Sequence, residues 1–192
     1  GDDYVFIMYT SGTTGRSKGA MLTHDNLRTN AVSLREAWGW QDRDVLLHAL
    51  PIFHVHGLFI ALHCALLGGT TSIFMPKFDM EEMMMWLPRS TVLMGVPTFY
   101  TRLLANEEFT AETAKGIRVF ISGSAPLTEQ TFAEFESRTG QKILERYGMS
   151  ETIINTTNPL NGARVAGTVG YALPGVEVRV SAEDDSDRAE VP

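Results

Sequence analysis

Ten consecutive residues, Thr10-Ser11-Gly12-Thr13-Thr14-Gly15-Arg16-Ser17-Lys18-Gly19, hold three glycines, five hydroxyl side chains and two cations. Glycine lets the backbone take positive φ and brings amide N–H groups close to an anion. Hydroxyls add donors, and Arg16 and Lys18 add charge. The chemistry such a loop serves is the cradling of a polyphosphate. It is not the common phosphate loop of ATPases, which needs contiguous Gly-Lys-Ser/Thr and a helix directly after it. Here Arg16 and Ser17 separate Gly15 from Lys18, and a strand-like run follows. A conventional phosphate-loop ATPase is disfavoured on that spacing. A mobile turn is the bland alternative, and ten such residues between two apolar runs weigh against it.

The elements around the loop follow from periodicity and punctuation. Tyr4 to Tyr9 is β-branched and aromatic and reads as a buried strand. Gly19 to Leu22 reads as a second strand, so the loop caps a hairpin. Thr23 to Asn26 supplies caps for a helix running to about Trp38. Strands are expected over Val45–Leu50, Thr70–Met75, Thr91–Val96, Val119–Ile121, Lys142–Glu145 and Val176–Val180. Helices are expected over Gly57–Leu67, Asp79–Leu87, Pro97–Leu104 and Thr128–Thr139, the last with Gly140 beyond its end. Strands that alternate with helices predict an α/β fold with layered, parallel-rich sheets and flanking helices. No repeat or low-complexity linker interrupts residues 1–180, read as one domain core; 181–192 reads as an acidic surface segment of the same domain.

Composition narrows the class. In 192 residues, 44% are hydrophobic and 20% charged, which is ordinary for a globular chain. The formal net charge is −7, with Glu183, Asp184, Asp185, Asp187 and Glu190 set against Arg188 in the tail. An acidic chain is a poor general nucleic-acid binder, because phosphate affinity rests on Lys and Arg. Cys64 is the one cysteine, so no internal disulfide forms and a reducing compartment is expected. It sits in an apolar run and reads as a packing thiol. No stretch reaches the roughly 18–20 apolar residues that span a membrane. Met80, Met83, Met84 and Met85 fall at helical spacing and read as packing. His48 and His63 read as packing or surface residues, and His24 as a helix-start residue.

Four segments resemble one family. Tyr9 to Gly19 is similar to the signature of the AMP-forming acyl-CoA synthetase, adenylation-domain and luciferase superfamily. Tyr147-Gly148-Met149-Ser150-Glu151-Thr152 resembles its Tyr-Gly-x-Thr-Glu motif, with Ser150 where Thr is usual. Ser122-Gly123-Ser124-Ala125-Pro126-Leu127 resembles the adenine-side loop, and Pro51 to Leu58 is a fourth match. Order and spacing agree over nearly the whole chain. The resemblance implies joining of a carboxylate to AMP with release of pyrophosphate, then acyl transfer to coenzyme A. It implies ATP, Mg²⁺ and CoA as cofactors or co-substrates. Thr10, Ser11, Gly12, Thr13, Thr14, Gly15 and Lys18 are expected to cradle phosphates, and Ser150 to donate to the α-phosphate. Glu151 is expected to ligate Mg²⁺, which prefers a carboxylate plus phosphate oxygens. Gly123, Ser124, Ala125, Glu145, Arg146, Tyr147 and Gly148 are expected to line the nucleotide site. Thr10, Lys18, Ser150 and Glu151 form the expected catalytic set.

The runs His48–His54, Met94–Leu104, Phe120–Leu127 and Leu144–Glu151 resemble malonyl-CoA synthetases in particular. That implies malonate or methylmalonate as the acid. A second carboxylate needs a cation or several donors, because an unpaired buried charge is costly. Arg102 is the expected fork for it, with His54, His56, Ser122 and Ser124 as supporting donors. The rivals are another acyl-CoA ligase, an amino-acid adenylation domain, and a non-catalytic nucleotide binder. Two parts of the family's machinery are not found: an Asp for the ribose hydroxyls and a Lys on a mobile C-terminal lid domain. The chain by itself is therefore expected to be inactive. Its home is expected to be the cytoplasm, or an organelle matrix.

Overall fold

The structure is a computed structural model and describes residues 1–10 and 17–180. Ser11 to Arg16 of the expected phosphate cradle, and the acidic segment 181–192, lie outside the described residues. Strands β1 (Tyr4–Thr10) and β2 (Lys18–Thr23) form an antiparallel hairpin in which Thr10 faces Lys18. The loop caps a hairpin, as its sequence implies. The expectation of a buried β1 is corrected: within it only Met8 is buried, and Tyr4 and Tyr9 are 65% and 73% exposed. This hairpin is a two-stranded sheet of its own, so among the described residues it is not sandwiched between layers.

Helix α1 (His24–Ala37) starts at Thr23, whose side chain accepts from the Asn26 amide while Asn26 returns a bond to the Thr23 amide. That reciprocal box satisfies two otherwise orphaned donors and fixes where the hairpin ends and the helix begins. Leu27, Ala31 and Leu34, at spacings of four and three, bury one stripe of α1.

The second sheet has seven strands in the order β4-β3-β5-β6-β7-β8-β9. These are β3 (Val45–His48), β4 (Thr71–Phe74), β5 (Val92–Gly95), β6 (Val119–Ser122), β7 (Leu144–Tyr147), β8 (Thr156–Thr157) and β9 (Tyr171–Ala172). The pairs from β4 through β7 are parallel, and β8 and β9 add antiparallel to the β7 edge. Continuous apolar runs such as Val92-Leu93-Met94 are what a parallel strand covered on both faces requires. A π-helical stretch, His56–Leu62, runs into α2 (His63–Gly68). Helices α3 (Met80–Trp86), α4 (Pro97–Leu104), the short α5 (Ala111–Ala114) and α6 (Glu129–Thr139) complete the layers. Tyr100 of α4 is fully buried, donates to the Ile121 carbonyl at 2.6 Å, and meets Phe120 and Phe135 edge-on. Cys64 is buried as expected, and burial pushes its thiol up to about 12. Among the described residues no helix is long and apolar enough to cross a membrane.

The strand expected over Val176–Val180 is absent. Its alternation is present, but no described strand pairs with it, and Val178 and Val180 are 56% and 93% exposed. A strand is defined by its ladder, and alternation alone does not supply one.

At the amino ends of the parallel strands, Asp44 is buried and accepts from Arg118 Nε, Thr91 Oγ1 and the Gln41 amide, each at 2.8 Å, and from Arg118 Nη2. Burial alone would raise this carboxyl, but the Arg118, Gln41 and Thr91 bonds overcome it and hold the pKa below the ordinary range. Removing one partner of a buried pair costs about 3–5 kcal/mol. Asp44→Ala is therefore expected to lower the chain's thermal midpoint by several degrees. The unfolded carboxyl titrates near 3.9, so the contribution is complete above that pH and is lost as pH falls through the lower folded value. Asp44→Asn should flatten that acid limb in melting curves recorded from pH 6 to pH 2. An unchanged limb would show that other carboxylates set it.

Candidate active site

In open α/β sheets, ligands bind beyond the carboxyl ends of the parallel strands. The sequence-predicted residues gather there. His48 ends β3, Ser122 ends β6 and Tyr147 ends β7; the segments that follow carry His54 and His56, Gly123 to Ala125, and Gly148 to Glu151. Two adjoining cavities result. One, of about 240 Å³, is lined by Thr10, His54, His56, Ser124, Arg146, Gly148, Ser150 and Glu151. The other, of about 350 Å³, is lined by Ser124, Ala125, Glu145, Arg146, Tyr147 and Gly148, closed by Gly167 and Val169. Ser124, Arg146 and Gly148 belong to both.

Arg146 is the unexpected centre of this arrangement. It is 3% exposed, and its Nε and Nη2 have no hydrogen-bond partner among the described residues. Burial pulls its pKa down to about 10, which still leaves it cationic at neutral pH. Its neighbour Glu145 spends Oε1 on the Leu127 amide at 3.2 Å. A buried guanidinium without a counter-ion is costly and marks a place where an anion belongs. A Cβ added to Gly123 would lie 2.4 Å from Arg146 Cζ, so a glycine there makes room for the guanidinium.

Around Arg146 the other donors are fixed. Ser124 sits at φ 69, in the left-handed region that a side chain other than glycine rarely takes. Such strain collects at functional sites. Its Oγ lies 3.2 Å from His56 Nδ1. His56 opens the π-helical stretch, a feature frequent at functional sites. Burial first, then the Arg146 charge, hold His56 well below its usual range, so it is neutral at pH 7. His54 Nδ1 accepts from the His56 amide at 3.2 Å, which leaves the proton of the neutral ring on Nε2. Ser122 Oγ is buried and unpartnered among the described residues. His48 is buried under Phe74, and burial lowers it to about 4; it packs, as expected.

Arg102 is not brought to this group. It lies on the exposed side of α4 with its guanidinium 4.0 Å over the Phe78 ring, beside Met80, Asn106 and Glu107. Two positions earlier on the same helix, Tyr100 faces the core. The helix period therefore turns Arg102 outward, away from the cavities at the sheet end. Lys18 is exposed at the first position of β2, opposite Thr10, whose Oγ1 donates to the Lys18 carbonyl at 3.4 Å. Sequence reading placed Arg146 on the nucleotide side only. The signal it passed over is a cation inside a short strand led by Ile143 and Leu144.

The chain is 41% identical to a malonate–CoA ligase of Arabidopsis thaliana, over 97% of the chain and 34% of that protein. It is 42% identical to the mitochondrial malonate–CoA ligase of Mus musculus, over 95% of the chain and 34% of that protein. A long-chain-fatty-acid–CoA ligase of Yersinia pestis is 34% identical over 96% of the chain. The chain thus spans about a third of the length of the curated relatives it matches. Among solved structures, ATP-bound MatB of Rhodopseudomonas palustris superposes with a TM-score of 0.93 at 55% identity, covering 96% of this chain and 37% of that one. A malonyl-CoA ligase product complex with methylmalonyl-CoA and AMP gives 0.86 at 40% identity, covering 95% and 41%. The model of the AMP-binding enzyme family matches residues 1–192. Because that match runs along the full sequence and the relatives agree over nearly all of it, the chain belongs to the AMP-binding enzyme family.

Proposed function

We propose that this chain carries the nucleotide and carboxylate sites of an AMP-forming acid–thiol ligase whose acid is malonate or methylmalonate. The observation that carries the reading is Arg146, a buried cation with free donors between two cavities. A simple fatty acid has no use for it, since its one carboxylate is the reacting group. A dicarboxylate has a second, unreactive carboxylate, to which Arg146 offers a charged donor and the Ser124–His56 pair one neutral donor, since the bond between those two uses the proton of one of them. The names of the relatives, malonate–CoA ligases and a methylmalonyl-CoA complex, support the same acid.

In this reading adenine lies in the cavity formed by Ala125, Glu145, Tyr147 and Gly167. The half-exposed Tyr147 ring offers a stacking face there. Thr10 and Lys18 hold the leaving phosphates together with Ser11, Gly12, Thr13, Thr14 and Gly15. Ser150 donates to the α-phosphate, where charge develops as the free carboxylate attacks. No cluster of three His, Cys, Asp or Glu occurs among the described residues. A single exposed carboxylate, Glu151, fits Mg²⁺, which usually keeps water and binds through one or two carboxylates plus substrate phosphates. When bound, Mg²⁺ neutralises phosphate charge. Neutral His56 leaves the anion to Arg146 without adding a second positive charge. Transfer to CoA, and closure by a C-terminal lid domain, are assigned to segments the longer relatives carry. A mitochondrial relative supports an organelle matrix as one home for such an enzyme.

The test is pyrophosphate release with ATP and Mg²⁺ by the chain together with the flanking segments of its relatives. Malonate, methylmalonate, acetate, octanoate and a mixed amino-acid pool are compared. Release dependent on malonate or methylmalonate is expected. Release only with octanoate or amino acids would transfer the chain to another ligase class, and ATP binding without release with any acid would favour a non-catalytic binder.

A further inference from the structure

The segment between β7 and β8 carries Ser150 and Glu151 at its tip, and its own bonds are few. The Ile153 amide donates to the Met149 carbonyl at 2.8 Å, and the Asn155 amide to the Tyr147 carbonyl at 2.9 Å. Ile153 is 2% exposed and stands at φ 64, a conformation that a β-branched residue takes only when its surroundings force it. One of those surroundings comes from 124 positions away. Asn30, on the second turn of α1, donates from Nδ2 to the Ile154 carbonyl at 2.8 Å. Its Oδ1 is buried and has no partner among the described residues. The amide is thus held by the acidic segment and by nothing else described.

The position of α1 gives this bond its reach. Its capping residue, Thr23, is also the last residue of β2, and β2 begins at Lys18, opposite Thr10. Hairpin, cap and helix form one continuous unit. That unit carries Lys18, opposite Thr10, at one end and grips the Glu151 segment two turns into the helix. We infer that Asn30 is a positioning residue: it couples the phosphate-loop hairpin to the acidic segment and fixes Ser150 and Glu151 across the cavity from Thr10. The inference rests on the reading of Ser150 and Glu151 as groups that meet ATP and Mg²⁺. The competing view is an ordinary tertiary hydrogen bond that contributes to stability alone.

Asn30→Leu keeps the size and removes the donor without placing a new charge beside Glu151; Asn30→Ala removes size and donor alike. The first measurement is amide hydrogen exchange in the full-length protein without ligand. In Asn30→Leu, exchange at residues 149–155 is expected to quicken about fivefold, the value of one lost hydrogen bond, with α1 and β6 unchanged. No change there, or a uniform acceleration along the chain, overturns the inference. The second is ATP affinity by calorimetry with and without Mg²⁺, in Asn30→Leu, Glu151→Gln and the double variant. Affinity with Mg²⁺ is expected to fall about fivefold in Asn30→Leu, with less than a twofold change in EDTA. The Asn30→Leu effect should vanish in the Glu151→Gln background, the mark of groups acting through one another. Equal losses with and without Mg²⁺, or additive ones, overturn the positioning role. Glu151→Gln alone leaving Mg²⁺-dependent affinity unchanged would instead sink the reading of Glu151 as the metal-facing carboxylate, while the exchange result still decides whether Asn30 holds the segment.

Discussion

In the chain joined to the flanking segments of its relatives, Arg146→Met is expected to lower kcat/KM for malonate by about a hundredfold or more, with no loss of stability. Truncating one member of a buried charged pair costs about 2–5 kcal/mol in binding. In the proposed reading the other member is the distal carboxylate of the acid. In the free protein the balance is reversed. The guanidinium is buried, two of its nitrogens lack partners among the described residues, and desolvation already lowers its pKa to about 10. A methionine of similar length removes that desolvation cost without leaving a partner unpaired. Thermal unfolding without ligand should therefore stay level or rise. Arg146→Lys should rescue little, because an ammonium cannot reproduce a planar fork. Acetate, which has no second carboxylate, serves as the internal control, and whatever turnover it shows should change far less than that of malonate. An undiminished kcat/KM for malonate would remove Arg146 from the acid pocket. A lower melting temperature would instead make it a structural residue.

The contrast between Arg146 and Arg102 shows where sequence reading stops. Both arginines lie in segments that carry family resemblance, and both have the right chemistry. What separates them is register. Arg102 follows Tyr100 by two positions on α4, and two positions on a helix turn a side chain to the far side. Arg146 lies within a four-residue strand whose burial depends on β6 on one edge and β8 on the other. β8 has two residues and β9 two, too few to leave a periodic trace, so the closure that buries Arg146 is not written locally. Punctuated elements fared better. Thr23 and Thr128 cap their helices as their types suggest, and the hydroxyl-rich loop at Thr10 joins a hairpin. Val176 to Val180 failed for the opposite reason, since alternation was legible but its partner was not. Asn30 left no signal of any kind: a mid-helix amide on a polar face is indistinguishable from a solvated one until the Ile154 carbonyl is found against it.

The same acidic segment yields the largest effect expected from adding a single carbon atom. A Cβ on Gly148 would stand 1.8 Å from the Ile153 carbonyl oxygen and 2.8 Å from both the Ile153 carbonyl carbon and the Ile154 Cα. All three are backbone atoms, so no side-chain rotation relieves the clash. The strained Ile153 and the buried Ile154 cannot retreat into the core without displacing it. Gly148→Ala must therefore open the segment and break the Ile153-to-Met149 and Asn155-to-Tyr147 bonds that close it. Ser150 and Glu151 ride on the part that moves. Overpacking of this kind costs about 1–3 kcal/mol, equivalent to a melting temperature lower by roughly 2–12 °C in a chain of this size. The functional loss should be larger than the stability loss, because a misplacement of about 1 Å can cost a hundredfold in rate. Malonate-dependent pyrophosphate release is expected to fall at least that far at 20 °C, where the variant remains folded. A Gly148→Ala protein that melts and turns over like the parent would mean that the close approach of these two backbone stretches is not what holds Ser150 and Glu151 in place.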